Sequence, residues 1–226
     1  MHEKPLVRWT IGPCLPEGTH CLQLSIKLWK SHYGDTCDYV VCANGFNPDV
    51  EIPVVRAENY RDTLPLLPQG PAWKLYPPRM RMNSHEIIID NDLLLFEPHP
   101  MIEEFLNSNR TLTTEIYRRD YGSFDHLVPS DKLINSGIIG LPPGFDFEEK
   151  LRCVIRKVNL QEWQTHFCEQ GAVAAVLENP LIISNQDILI GINPEAFRID
   201  SYGVHFVGMN RGYSDWWGLF SGGYLL

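Results

Sequence analysis

The run His85-Glu86-Ile87-Ile88-Ile89-Asp90-Asn91-Asp92 limits the possible folds of this chain more than any other stretch. Successive residues of a strand point to opposite faces, so three consecutive isoleucines put apolar surface on both sides. Such a strand must be covered on both faces, which is the situation in a parallel sheet flanked by helices. The elements around it agree. Leu6–Ile11 reads as a strand, broken by Gly12-Pro13 and Pro16-Glu17-Gly18. Thr19 is placed to cap a helix from His20 to Ser31, with Leu22, Ile26 and Trp29 on one face. Tyr39–Cys42 and Ile52–Arg56 read as further strands. Alternating strands and helices predict an α/β fold.

Thr63–Pro78 holds five prolines and reads as a loop carrying one short helix at Ala72–Tyr76. Beyond the isoleucine run, Pro100 opens a helix to Asn107. Strands are expected at Thr111–Tyr117, Leu133–Leu141, Leu181–Ser184, Ile188–Ile192 and Tyr202–Gly208. Helices are expected at Phe147–Lys157 and Gln164–Leu177. No repeat, low-complexity stretch or linker divides the 226 residues, which predicts a single domain over 1–226.

The formal net charge of -9 argues against a nucleic-acid partner, which needs clustered Lys and Arg. It leaves room for one phosphorylated ligand, served by a few local cations or a divalent metal. The six cysteines form no CxxC pair, so no structural zinc site is expected. The chain opens on a polar stretch and has no run of about 20 apolar residues. A cytoplasmic protein without a transmembrane segment is therefore expected.

Asp90 and Asp92 stand at the carboxyl end of the isoleucine strand, the end at which open α/β sheets bind their ligands. Two carboxylates there repel each other unless a cation lies between them. A hard divalent ion, Mn²⁺ or Mg²⁺, suits carboxylates shared with phosphate oxygens. His205-Phe206-Val207-Gly208-Met209-Asn210-Arg211 is the second notable segment. Gly208 allows a close approach of backbone to ligand, and Arg211 offers a planar fork to a phosphate.

Together these residues resemble glycosyltransferases of the GT-A nucleotide-sugar fold. Asp90-Asn91-Asp92 is similar to their DxD motif. His205-x-x-Gly208-x-x-Arg211 resembles the H-x-x-G-x-x-K segment of the glycogenin-like and lipopolysaccharide galactosyltransferase-like retaining enzymes, with Arg211 in place of Lys. Asn135-Ser136-Gly137 resembles the strand that lines the sugar pocket. Glu169-Gln170 resembles the Asp-Gln pair beside the donor sugar, with Glu for Asp.

The resemblance implies a single Rossmann-like α/β domain with a mostly parallel sheet. It implies a metal held by Asp90, Asp92 and His205, with Asp90 either a ligand or a partner of the donor ribose. Donor contacts are implied at Asn91, Asn135, Ser136, Gly137, Gly208 and Arg211. Lys74, beside Trp73, matches a basic residue that reaches the donor, with Arg79 and Arg81 as rivals. Trp9 and Thr10 lie on the first strand, where the nucleotide base binds. Asn135, Glu169 and Gln170 are the catalytic candidates. The implied partners are a nucleotide-diphosphate sugar, a UDP-sugar foremost, and an acceptor that the residues do not name. The resemblance leans toward retention at the anomeric carbon. Two alternatives are an inactive or accessory nucleotide-sugar-binding protein and a sugar nucleotidyltransferase. The latter normally has a basic glycine-rich loop after its first strand, and Gly12-Pro13-Cys14-Leu15-Pro16 carries no cation.

Overall fold

A computed structural model describes residues 3–14, 16–64, 71–159, 163, 166–190 and 201–207. Its centre is a seven-stranded sheet. The strands are β1 (Leu6–Ile11), β2 (Asp38–Ala43), β3 (Val54–Arg56), β4 (Glu86–Asp90), β6 (Leu112–Glu115), β7 (Ile134–Leu141) and β8 (Leu181–Ile183). They lie in the order β3-β2-β1-β4-β7-β6-β8. Every strand except β7 runs in the same direction. A second sheet has three short strands, β5 (Leu93–Leu95), β9 (Ile188–Ile190) and β10 (Gly203–His205), with β10 in the middle. The mostly parallel α/β architecture expected from the sequence is present.

The three isoleucines divide between two cores. Ile87 and Ile89 pack with α1 (Pro16–Tyr33) and α2 (Pro100–Leu106), through Leu22, Ile26, Trp29, Ile102 and Phe105. Ile88 faces the other side, against α3 (Phe147–Ile155) and α4 (His166–Val176), through Phe147, Leu151, Ala172 and Val173. Each fully buried aliphatic side chain contributes roughly 1.5–3 kcal/mol, so this one strand joins the two halves of the hydrophobic interior.

Three expectations change. The first helix starts at Pro16 rather than His20, so Pro16-Glu17-Gly18 forms its first turn. Proline is tolerated there because its missing N–H would have had no helical partner. Thr19 lies inside the helix, its hydroxyl 3.8 Å from the Cys14 thiol, and does not cap it. The isoleucine strand stops at Asp90, and Asn91 and Asp92 turn the chain into a separate strand, β5. The short helix in the proline-rich segment is a 3₁₀ turn at Pro71–Leu75.

A buried ion pair holds the amino-terminal edge of the sheet. Arg8 Nε lies 2.9 Å from Glu86 Oε1, and both side chains are fully enclosed. Arg8 also donates to the carbonyls of Pro77 and Pro78, while Glu86 accepts from the backbone N–H groups of Met80 and Arg81. All six cysteines are free thiols. Among the described residues no helix is long and apolar enough to cross a membrane.

Candidate active site

The carboxyl edge of the sheet gathers most of the predicted residues. Asp90 ends β4, Asp92 follows in the turn, and His205 ends β10. Backbone pairing sets this meeting. His205 is opposite Leu93 across β5 and β10, and the Phe206 N–H donates to the Asp92 carbonyl at 2.9 Å. His205 Nε2 then lies 3.4 Å from Asp90 Oδ2 and 3.3 Å from Asp92 Oδ1. One candidate ligand atom from each of the three residues lies within 4.8 Å of the others. Two oxygens and an imidazole nitrogen at that spacing suit Mn²⁺ or Mg²⁺ bound together with phosphate oxygens.

Lys74 is the second centre. It is delivered by the 3₁₀ turn and is almost fully buried. Its Nζ lies 2.7 Å from Asp90 Oδ1 and 3.5 Å from Glu169 Oε1. It donates to the Ser136 carbonyl at 3.0 Å and lies 3.3 Å from the Ser136 hydroxyl. Of the three basic candidates, Lys74 is the one that reaches Asp90. Arg79 is spent on the carbonyls of Arg81, Ser84, Pro142 and Phe145, and Arg81 pairs with Glu3 and Asp38. Both are held near the opposite edge of the sheet.

Ser136 can reach Lys74 because β7 is irregular. Thr113 on β6 faces Ile139, yet the next residue, Thr114, faces Asn135. Bulges of this kind re-aim backbone and side chains and recur beside active sites. Within the bulge, Asn135 Oδ1 accepts from the Gly137 N–H at 2.8 Å, and its amide donates to Gln170 Oε1 at 3.1 Å. Gln170 in turn donates to the Asp120 carbonyl at 3.0 Å. The Ser136 hydroxyl donates to Glu169 Oε2 at 3.2 Å. Asn135, Ser136, Gly137, Glu169 and Gln170 therefore form one hydrogen-bonded wall beside Asp90.

The buried charges perturb one another. Burial pushes the Glu169 carboxyl up to about 7, against the lowering pull of Lys74. Burial opposes the charge on His205, but hydrogen bonds to Asp90 and Asp92 prevail and raise it to about 9. Burial likewise works against ionised Asp90, and the Lys74 ammonium with His205 holds its pKa below the usual range. Lys74 is raised because Asp90 and Glu169 outweigh its own desolvation.

Trp9 and Asn91 spend their side chains away from this cluster. Trp9 is fully buried and donates from Nε1 to the Ser25 hydroxyl at 2.9 Å, so its side chain belongs to the core and not to a base pocket. Thr10 pairs in register with Asp90. Asn91 donates to the Gly18 carbonyl at 3.2 Å, tying the turn to the start of α1. Gly208 and Arg211 lie outside the described residues. The link from Ser136 to Lys74 was missed in the sequence, because no local pattern marks a bulge of this length.

Structural comparison gives this architecture a class. The galactosyltransferase LgtC, in complex with donor and acceptor sugar analogs, aligns over 96% of this chain and 95% of its own at a TM-score of 0.57 and 9% identity. A structure of an active-site mutant of LgtC aligns over the same shares at a TM-score of 0.55. The bifunctional glycosyltransferase WbbM aligns at 0.62 and 12% identity, over 93% of this chain, which spans 47% of that longer one. No family model matches the sequence, and no curated relative does. The chain has the fold of the GT-A glycosyltransferases, at a sequence distance that shows fold alone.

Proposed function

We propose that this protein is a metal-dependent glycosyltransferase that moves a sugar from a nucleotide-diphosphate sugar to an acceptor hydroxyl. The observation that carries the reading is the meeting of Asp90, Asp92 and His205 at the ligand-binding edge of a glycosyltransferase fold. These three residues would hold Mn²⁺ or Mg²⁺. A divalent ion bound there supplies a Lewis acid for the charge that builds on the departing diphosphate. Lys74, fixed by Asp90, Ser136 and Glu169, adds permanent positive charge beside it and needs no rearrangement to act. Arg211 offers a further cation to the phosphates.

In the reaction the bond from the anomeric carbon to the diphosphate breaks, and the diphosphate leaves with the electron pair. The acceptor oxygen forms the new bond and gives up its proton to the departing diphosphate. The wall of Ser136, Glu169 and Gln170 orients the sugar, and Asn135 braces Gln170 from behind. Retention is the favoured outcome, because Glu169 is engaged by Lys74 and Ser136 beside the donor and is not the free base that an inverting enzyme aims at the acceptor hydroxyl. A UDP-sugar is the first donor to test. Six free thiols agree with a reducing compartment such as the cytoplasm.

One observation favours a second reading, nucleotide-sugar binding without transfer: the polar ends of Asn135 and Gln170 are already occupied within the protein. The test is a thermal-shift screen of nucleoside diphosphates with and without Mn²⁺, followed by turnover of the sugar form of the best hit. The expected result is one base-selective, Mn²⁺-dependent rise in melting temperature that Asp92→Ala abolishes. Unchanged nucleotide affinity of Asp92→Ala by calorimetry overturns the metal reading. Binding without turnover favours the second reading.

A further inference from the structure

We propose that Gly137 is a positioning residue, the socket that seats the His205 imidazole against Asp90 and Asp92. The inference rests on the metal reading above and assigns to Gly137 a role other than contact with the sugar. A β-carbon at Gly137 would lie 2.5 Å from His205 Nδ1, 2.6 Å from Cε1 and 2.8 Å from Asn135 Oδ1. All three distances are shorter than side-chain carbons adopt, so a neighbour must move. Gly137 is not among the glycines with positive φ, so the need for glycine here is close approach and not backbone conformation.

The ring is engaged on two sides. Its Nδ1–Cε1 edge rests on Gly137, while its Nε2 faces the two carboxylates at 3.3 and 3.4 Å. Its backbone is held by pairing with both β5 and β9, and the Phe206 N–H is bonded to the Asp92 carbonyl. Asn135 is equally fixed, because its side chain bonds Gly137 N, Thr114 and Gln170. A methyl group at position 137 therefore drives the imidazole toward or past the carboxylates and spoils the spacing of the three ligand atoms. The bulge in β7 thus serves two residues of the site: Ser136 holds Lys74, and Gly137 seats His205.

The experiment compares Gly137→Ala, His205→Ala and the double variant in the full chain, with Mn²⁺ as the probe and free ion read by electron paramagnetic resonance. Gly137→Ala is expected to weaken Mn²⁺ binding by roughly tenfold or more, the size of effect produced by losing groups that orient a metal ligand. The same substitution in the His205→Ala background is expected to change Mn²⁺ affinity little, because the ring that clashes is gone. Wild-type affinity in Gly137→Ala, or an equal loss in both backgrounds, overturns the proposal. Should Gly137→Ala fail to fold, the double variant is expected to recover the wild-type circular dichroism, and a double variant that stays unfolded overturns it. In the metal-free protein, the His205 ring resonances are expected to move in Gly137→Ala while those of His85 and His99 stay in place; unmoved His205 resonances overturn the seat. Wild-type protein that binds no Mn²⁺ refutes the metal reading instead, and the ring resonances still decide the seat.

Discussion

At the scale of single residues, the site is a balance of buried charge. Asp90 is shared between Lys74 and His205, and Glu169 faces the same Lys74. Removing one member of a buried ion pair typically costs about 3–5 kcal/mol, because the partner charge is left without compensation. Lys74→Met is therefore expected to lower metal-free stability in chemical denaturation by about that amount. Glu169 has the opposite sign of effect. Its folded pKa is raised from the ordinary value of 4.5 to about 7, so the folded state holds its proton more tightly than the unfolded chain does. This contribution is complete below the ordinary value and is lost as pH rises through about 7. Metal-free stability is expected to fall over that window, and Glu169→Gln to show a flatter profile in denaturation series at several pH values. Equal slopes in both proteins would contradict the raised pKa.

At the scale of elements, the sequence was most readable where one residue type acts alone. Ile87–Ile89 announced a doubly buried strand, and its three side chains do divide between two cores. Asp90 and Asp92 stood out because carboxylates after such a strand need a reason. The boundary of α1 was misread because Pro16 and Gly18 break helices in the interior but are acceptable in a first turn. The bulge in β7 and the separate strand β5 were not legible, since both depend on register against distant partners. The pair Arg8–Glu86 was hidden for the same reason: its members lie far apart in the sequence, and nothing local links the two. It leads to a prediction at this scale. Glu86→Ala strands the Arg8 guanidinium and frees the Met80 and Arg81 amides, so a loss of about 3–5 kcal/mol is expected in equilibrium unfolding. A loss under about 1 kcal/mol, the range of an exposed pair, would show that the pair is dispensable.

At the scale of the whole molecule, the candidate ligands come from two different sheets. Asp90 ends a strand of the large sheet, and His205 ends the middle strand of the small one. A bound cation would bridge them, and segments tied by such a bridge open less often. Added Mn²⁺ is expected to slow amide exchange at Leu93–Leu95 and Gly203–His205 in hydrogen–deuterium mass spectrometry, with little change at the amino-terminal edge near Arg8 and Glu86. Uniform slowing throughout the chain would instead indicate global stabilisation. The single reversed strand of the large sheet, β7, has a separate consequence for how such a chain is written. In β4 the functional residues trail the apolar run, whereas in β7 they lead it, with Asn135-Ser136-Gly137 ahead of Ile138-Ile139. The segment feeding β7 therefore arrives at the rim that carries the site, and the one leaving it departs from the far rim. Length changes between Ile116 and Leu133 would reshape what enters the site, while changes in the connection from Leu141 to Phe147 would fall at the far rim, so a lineage could alter its substrate by editing one connection.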